Sequence, residues 1–164
     1  MTGPWSDLDY NPDEVPVQPA ATVMLVDDRP DLHVLLVHRT AKVVFAADSW
    51  VFPGGRVDPE DDIDDVERLI TGLSDAEASA ILGVERGGLA WWLAACRETL
   101  EEAGILLAAD AVVDGTAGAE GADVIARMRA ELATDETVFG DLLAAEGIVL
   151  DATLVEEVAR FVTP

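Results

Sequence analysis

The chain has one cysteine, Cys96, so no disulfide can form within it. It is also poor in positive charge. Ten Lys and Arg face 33 Asp and Glu, giving a formal net charge of −23. Nucleic-acid backbones and anionic membrane surfaces are bound through clustered Lys and Arg, so this balance excludes both as partners. No apolar run approaches the roughly 18 residues that a membrane-spanning helix needs. Residues 1–10 are polar and contain Pro and Trp, without the pattern of a secretory signal, so a cytoplasmic location is expected. No internal repeat is visible.

What is present is apolar enough to fold. Hydrophobic residues make up 50% and charged residues 26%, the balance of a globular chain with one domain's worth of core. Residues 1–19 carry Pro4, Pro12, Pro16 and Pro19 and read as an extended arm, with Trp5 or Tyr10 able to pack on the domain. The runs 20–26 and 32–39 flank turn residues at 27–31 and read as a hairpin, apolar on both faces and so expected to be covered on both sides. His33 and His38 lie in the second run as ordinary strand residues. Residues 40–49 read as a loop or a broken strand. Trp50–Phe52 is a short strand leading into Pro53-Gly54-Gly55, where adjacent glycines let a ligand approach the backbone.

The acidic run 58–65 reads as a solvated loop. Ser74 with Glu77 forms a capping box for a short helix that Gly83 ends, and Gly87-Gly88 hinges into the main helix. That helix starts near Leu89. At about 100° per residue, Leu89, Trp92, Leu93, Cys96, Leu100 and Ala103 form a buried stripe, and Cys96 is a core residue within it. Glu98, Glu101 and Glu102 share one arc almost opposite, and Trp91 projects near them. Gly104 stands where a left-handed C-terminal cap belongs. Carboxylates crowded in this way repel one another, unless a hard divalent cation with a preference for oxygen ligands binds among them.

Downstream, Ile105–Ala108 reads as a strand and 109–121 as a loop. One helix runs from Asp123 to Leu132 with Val124, Ile125, Met128 and Leu132 on one face. A second runs from Thr134 to Glu146 and ends at Gly147. After residue 150 a short helix precedes 159–162, which looks like the start of a strand.

Arg97-Glu98-Thr99-Leu100-Glu101-Glu102-Ala103-Gly104-Ile105, with Gly55 upstream, resembles the Nudix box, G-x5-E-x7-R-E-U-x-E-E-x-G-U with U apolar. Thr99 stands where the pattern has an apolar residue. Asp61 stands at the first acid, with Glu60 beside it. The family has seven residues between that acid and the Arg; here there are 35, so 62–89 read as an insertion, similar to the branch that includes a peroxisomal coenzyme A diphosphatase. The resemblance implies an α/β (α+β) fold, a Nudix-type α/β/α sandwich with a mixed sheet over 20–164. In relatives the segment corresponding to 160–164 leads into further strands, so the sheet is expected to lack them here.

The resemblance also implies metal-dependent hydrolysis of a diphosphate in a nucleoside-diphosphate-linked small molecule. Mg²⁺ or Mn²⁺ would be held by Glu98, Glu101 and Glu102. Glu101 and Glu102 are candidates for general base, and Arg97 would orient the Glu101 carboxylate. Either Glu60 or Asp61 could complete the cation site. Gly54, Gly55 and Arg39 are the candidate substrate contacts, and a homodimer is the assembly to consider. Coenzyme A or an acyl-coenzyme A is the candidate substrate. The separate coenzyme A motif of the family, LLTxT[SA]x3Rx3Gx3FPGG, aligns only partly with Leu35–Gly55: Val37 and Arg39 replace its Thr residues, Val44 its Arg and Asp48 its Gly. A Nudix-fold module that binds nucleotide without cleaving it, and an acidic helical interaction protein, are the alternatives.

Overall fold

A computed structural model describes residues 16–28, 30–39, 48–109, 112–113, 118–135 and 138–162. The candidate arm up to residue 15 and most of the loop at 40–49 lie outside the described residues.

The chain is built around the helix α2, Leu89–Ala103. Its start and stop are those expected from the sequence. Gly104 takes φ +69° and ψ +29°, the left-handed cap geometry, with its amide bonded to the Leu100 carbonyl. Leu89, Leu93, Cys96 and Leu100 are buried as expected, while Ala103 is half-buried. Burial extends further round the helix than the apolar stripe, to Ala94, Ala95, Arg97 and Thr99. Thr99 sits at an apolar position of the motif, and its hydroxyl donates back to the Ala95 carbonyl at 2.7 Å. The methyl can therefore pack while the polar atom stays satisfied.

Around α2 stand short strands. β1 (Ala20–Thr22) pairs antiparallel with β6 (Gly54–Arg56), Ala21 opposite Gly55, and both pack on α2. β2 (Val26–Asp27) and β3 (His33–Val34) form the expected hairpin, and β4 (Val37–His38) pairs with β5 (Trp50–Val51). His33 is exposed, and His38 lies against Trp50 and Asp48. On the other side, β7 (Ile70–Thr71) runs parallel to β10 (Leu150–Asp151), and β8 (Leu106–Leu107) antiparallel to β9 (Val112–Val113). An Ala108–Leu150 bridge joins these two pairs, so the strands are mixed in direction. The described residues also form the helices α1 (Asp75–Leu82), α3 (Gly118–Leu132) and α4 (Phe139–Glu146). Among the described residues no helix is long and apolar enough to cross a membrane.

The stretch 62–89 is part of the core. Val66, Ile70, Ala78 and Leu82 are buried together with Leu93, Leu100, Met128 and Phe139. Each large apolar side chain fully buried contributes about 1.5–3 kcal/mol, so the insertion helps hold the domain together. Its helix α1 has the expected capping box, with Ser74 accepting from the Glu77 amide, and Gly83 ends it at φ +65°.

Several expectations are corrected. The 20–39 strands are not covered on both faces: Met24 is 50% and Val26 52% exposed. Of the 20–39 strands β1 packs on α2, and an apolar pattern does not by itself supply a covering layer for the rest. The acidic run is not a solvated loop throughout, because Pro59–Asp61 forms a single 3₁₀ turn that buries Asp61. The loop at 109–121 contains β9, and α3 begins at Gly118 rather than Asp123, tertiary packing overriding weak local propensity. Thr134 does not cap α4. Its hydroxyl donates backward to the Ala130 carbonyl and closes α3, and α4 starts at Phe139. Residues 150–154 form β10 and a 3₁₀ turn, and 155–162 form no strand, since no neighbour pairs with them among the described residues.

Candidate active site

The Arg97 side chain is 1% exposed and is the hub of the site. Its Nε and Nη2 donate to the two oxygens of Asp61 at 3.1 and 3.0 Å, a bidentate pair. Nη2 also reaches the Arg56 carbonyl at 2.9 Å and Asp58 at 3.3 Å. Nη1 donates to Glu98 at 2.9 Å and to Glu101 at 3.2 Å. The 3₁₀ turn that presents Asp61 is closed locally, because the Asp58 amide donates to Asp61 Oδ2 at 2.9 Å. Asp61 thus stands at the acidic position of the motif and serves as the counter-ion of Arg97. Glu60, beside it, is exposed. The 35 residues that separate Asp61 from Arg97 in sequence leave this pairing intact.

Glu102 faces β6, where its Oε2 accepts the Gly54 amide at 3.0 Å. A methyl group built on Gly55 would collide with the Glu98 carboxylate, so a side chain there would displace that carboxylate from its present position. Gly54 has φ +154°, and a Cβ there would strike the β1 backbone at Ala21 and Thr22, so the close β1–β6 approach requires glycine. In this structure the groups that approach the glycine pair are therefore Glu98, Glu102 and β1.

Burial shapes the electrostatics. It pushes the Glu98 carboxyl up to about 7; Arg97 opposes this, and Glu101 and Glu102 reinforce it. Burial also opposes the charge on Arg97, but Asp61, Glu98 and Glu101 more than offset it, so its pKa lies above the ordinary value. Cys96, sealed in the core, is pushed up to about 12 and is no nucleophile.

As donors, these carboxylates suit a hard divalent cation: all are oxygens, and one hydrogen bond does not exhaust a carboxylate's four lone-pair sites. Glu98 and Glu101 already converge on a single cationic nitrogen, Arg97 Nη1. Among the described residues, however, no three carboxylate, imidazole or thiol side chains gather into a ready-made cage.

Arg39 is the remaining candidate. It is half-buried beyond β4, its amide bonded to Ser49, and it shares with Gly54, Gly55 and Trp91 the lining of a wide cleft beside the site. Trp91 is half-buried and packs against the core. Sequence reasoning missed Arg129. Its guanidinium, reaching over from α3, donates to the Glu101 carbonyl at 2.8 and 3.1 Å and ties down the last turn of α2. Nothing short-range in the sequence signals that contact.

The fold has a counterpart among solved structures. A crystal structure of a NUDIX hydrolase from Alicyclobacillus acidocaldarius superposes with a TM-score of 0.62 at 26% sequence identity, covering 92% of this chain. The fold is of the Nudix α+β type. The chain spans 64% of the length of that protein, just under two thirds. No family model matches the chain, and no curated protein matches it.

Proposed function

We propose that this chain is a Nudix hydrolase that cleaves a phosphoanhydride in a nucleoside-diphosphate-linked small molecule, with coenzyme A or an acyl-coenzyme A as the first candidates. The observation that carries the reading is the convergence of Glu98 and Glu101 on Arg97 Nη1, with Glu102 braced against Gly54. A solvated acidic helix face would not hold its carboxylates half-buried on a shared cation. Glu98, Glu101 and Glu102 would hold Mg²⁺ or Mn²⁺. When bound, such an ion neutralises phosphate charge and lowers the pKa of attacking water. Arg97 keeps Glu98 and Glu101 pointed at one place, and Asp61 keeps Arg97 there. Glu101 or Glu102 would accept the proton of the attacking water, and Gly54, Gly55 and Arg39 would line the path of the substrate.

The test is hydrolysis of coenzyme A, acyl-coenzyme A, ADP-ribose and dinucleoside polyphosphates with and without Mg²⁺, products being identified by mass. Metal-dependent cleavage is expected, reduced at least about 100-fold in Glu101→Gln and Glu102→Gln. Folded protein that cleaves none of the panel would overturn the proposal, and nucleotide binding retained without turnover would identify a binding module.

A further inference from the structure

The helix carrying the site has no cap of its own. Gly88, at the N-cap of α2, has helical backbone angles and no side chain to accept the first amides. Those amides are satisfied from the insertion. Asp75 Oδ2 accepts from Gly87 at 2.9 Å, Asp75 Oδ1 from Leu89 at 3.0 Å, and Ser79 Oγ from Gly88 at 2.9 Å. Both oxygens of one carboxylate and a buried hydroxyl thus close the start of α2.

This contact is stiff. A methyl group on Gly88 would collide with the Ala78 and Ser79 backbone, so the two helices touch main chain to main chain. Asp75 is itself fixed: it follows the Ser74 cap, and its amide donates to Glu67 at 2.9 Å. At the far end of α2, Glu102 is bonded to Gly54, and Glu98 sits against Gly55 without room for a methyl group. Leu89 lies nine residues before Glu98 and thirteen before Glu102, about 14 and 20 Å along the axis. A shift of the helix along its axis moves Glu98 and Glu102 relative to the Gly54–Gly55 backbone, to which Glu102 is bonded.

We infer that the 62–89 insertion acts as an axial stop for α2, with Asp75 and Ser79 as positioning residues that set where Glu98 and Glu102 meet the Gly54–Gly55 backbone. This gives the insertion a role in the site proposed above and rests on that reading for its consequence in catalysis.

The test is amide hydrogen exchange by NMR on the full chain, comparing wild type with Asp75→Ala, Asp75→Asn and Ser79→Ala. Exchange at Leu89 should quicken in Asp75→Ala. The Gly54 amide, beyond the far end of α2, should quicken about tenfold with it, and Asp75→Asn, which keeps one of the two acceptor oxygens, should restore part of its protection. Mn²⁺ affinity should fall about tenfold in parallel. If Leu89 loosens while Gly54 is unchanged, the cap is local and the inference fails. It fails equally if the Leu150 amide, bonded to Leu69 in the core, loosens by as much as Gly54. Should Asp75→Ala not fold, Ser79→Ala decides by the same readout. Wild-type protein that neither binds Mn²⁺ nor cleaves the panel would sink the functional proposal, while exchange at Gly54 would still decide the positioning.

Discussion

Two regions of this molecule treat their side chains in opposite ways. In α2 a guanidinium is 1% exposed, ringed by Asp58, Asp61, Glu98 and Glu101. In and just before the β2–β3 hairpin, Met24, Val26 and Val34 are 41–52% exposed, although they are among the more apolar residues of the chain. Hydrophobicity alone would have sorted them the other way. What decides burial is whether partners are supplied. Arg97 is offered four carboxylates and a carbonyl by α2 itself and by two segments that pack on it, β6 and the 58–61 turn, so the cost of removing its charge from water is offset. The hairpin has strand partners for its backbone but no described layer over its side chains.

The contrast breaks most sharply at Arg97. Replacing it with Met keeps the volume but leaves Asp61 buried without its cation and sets Glu98 against Glu101. Breaking a buried pair from one side costs about 3–5 kcal/mol, a large part of the 5–15 kcal/mol that holds a typical domain. Denaturant unfolding of Arg97→Met should show a loss of that size. A loss under about 1 kcal/mol would mean that the carboxylates do not depend on Arg97.

Glu98 sharpens the comparison through pH. Its folded value of about 7 lies above the ordinary 4.5, so between these the folded state binds a proton that the unfolded state lacks. The resulting stability is fully present below about pH 4.5 and is lost as pH rises through 7. Glu98→Gln imitates the protonated form. Without divalent cations it should match wild type near pH 4 and exceed it by about 1–3 kcal/mol near pH 8, read from thermal midpoints. Equal stability at both ends would show that Glu98 ionises freely.

The parts of this architecture that could be read from the sequence are those decided within a turn or two of chain. The bounds of α2, the Ser74–Glu77 box and the left-handed Gly104 depend on residues three to five apart, and each is as expected. The grouping of Gly55, Arg97, Glu98 and Glu102 came from the spacing of a recognised motif. What could not be read are contacts between distant segments: Asp75 on Leu89, fourteen residues on, Arg129 on Glu101, and Asp61 rather than Glu60 on Arg97. The exposure of the hairpin was hidden for a related reason. A period of two says which side chains share a face, and the identity of the layer opposite is a matter of tertiary structure.

The smallest effect belongs to the hairpin. Val34 lies opposite Val26 across the β2–β3 pair, and both are exposed. Val34→Thr keeps the β-branched shape that suits a strand and replaces one methyl with a hydroxyl that can reach water. With no layer above it among the described residues, that exchange should change stability by less than about 0.5 kcal/mol. Buried in an apolar interface, the same hydroxyl would lose its hydration and cost about 1–3 kcal/mol. Chemical denaturation of Val34→Thr beside wild type therefore measures whether this face is open in solution. A loss above about 1 kcal/mol would mean that the face is covered in the folded protein, and the contrast with α2 would then disappear.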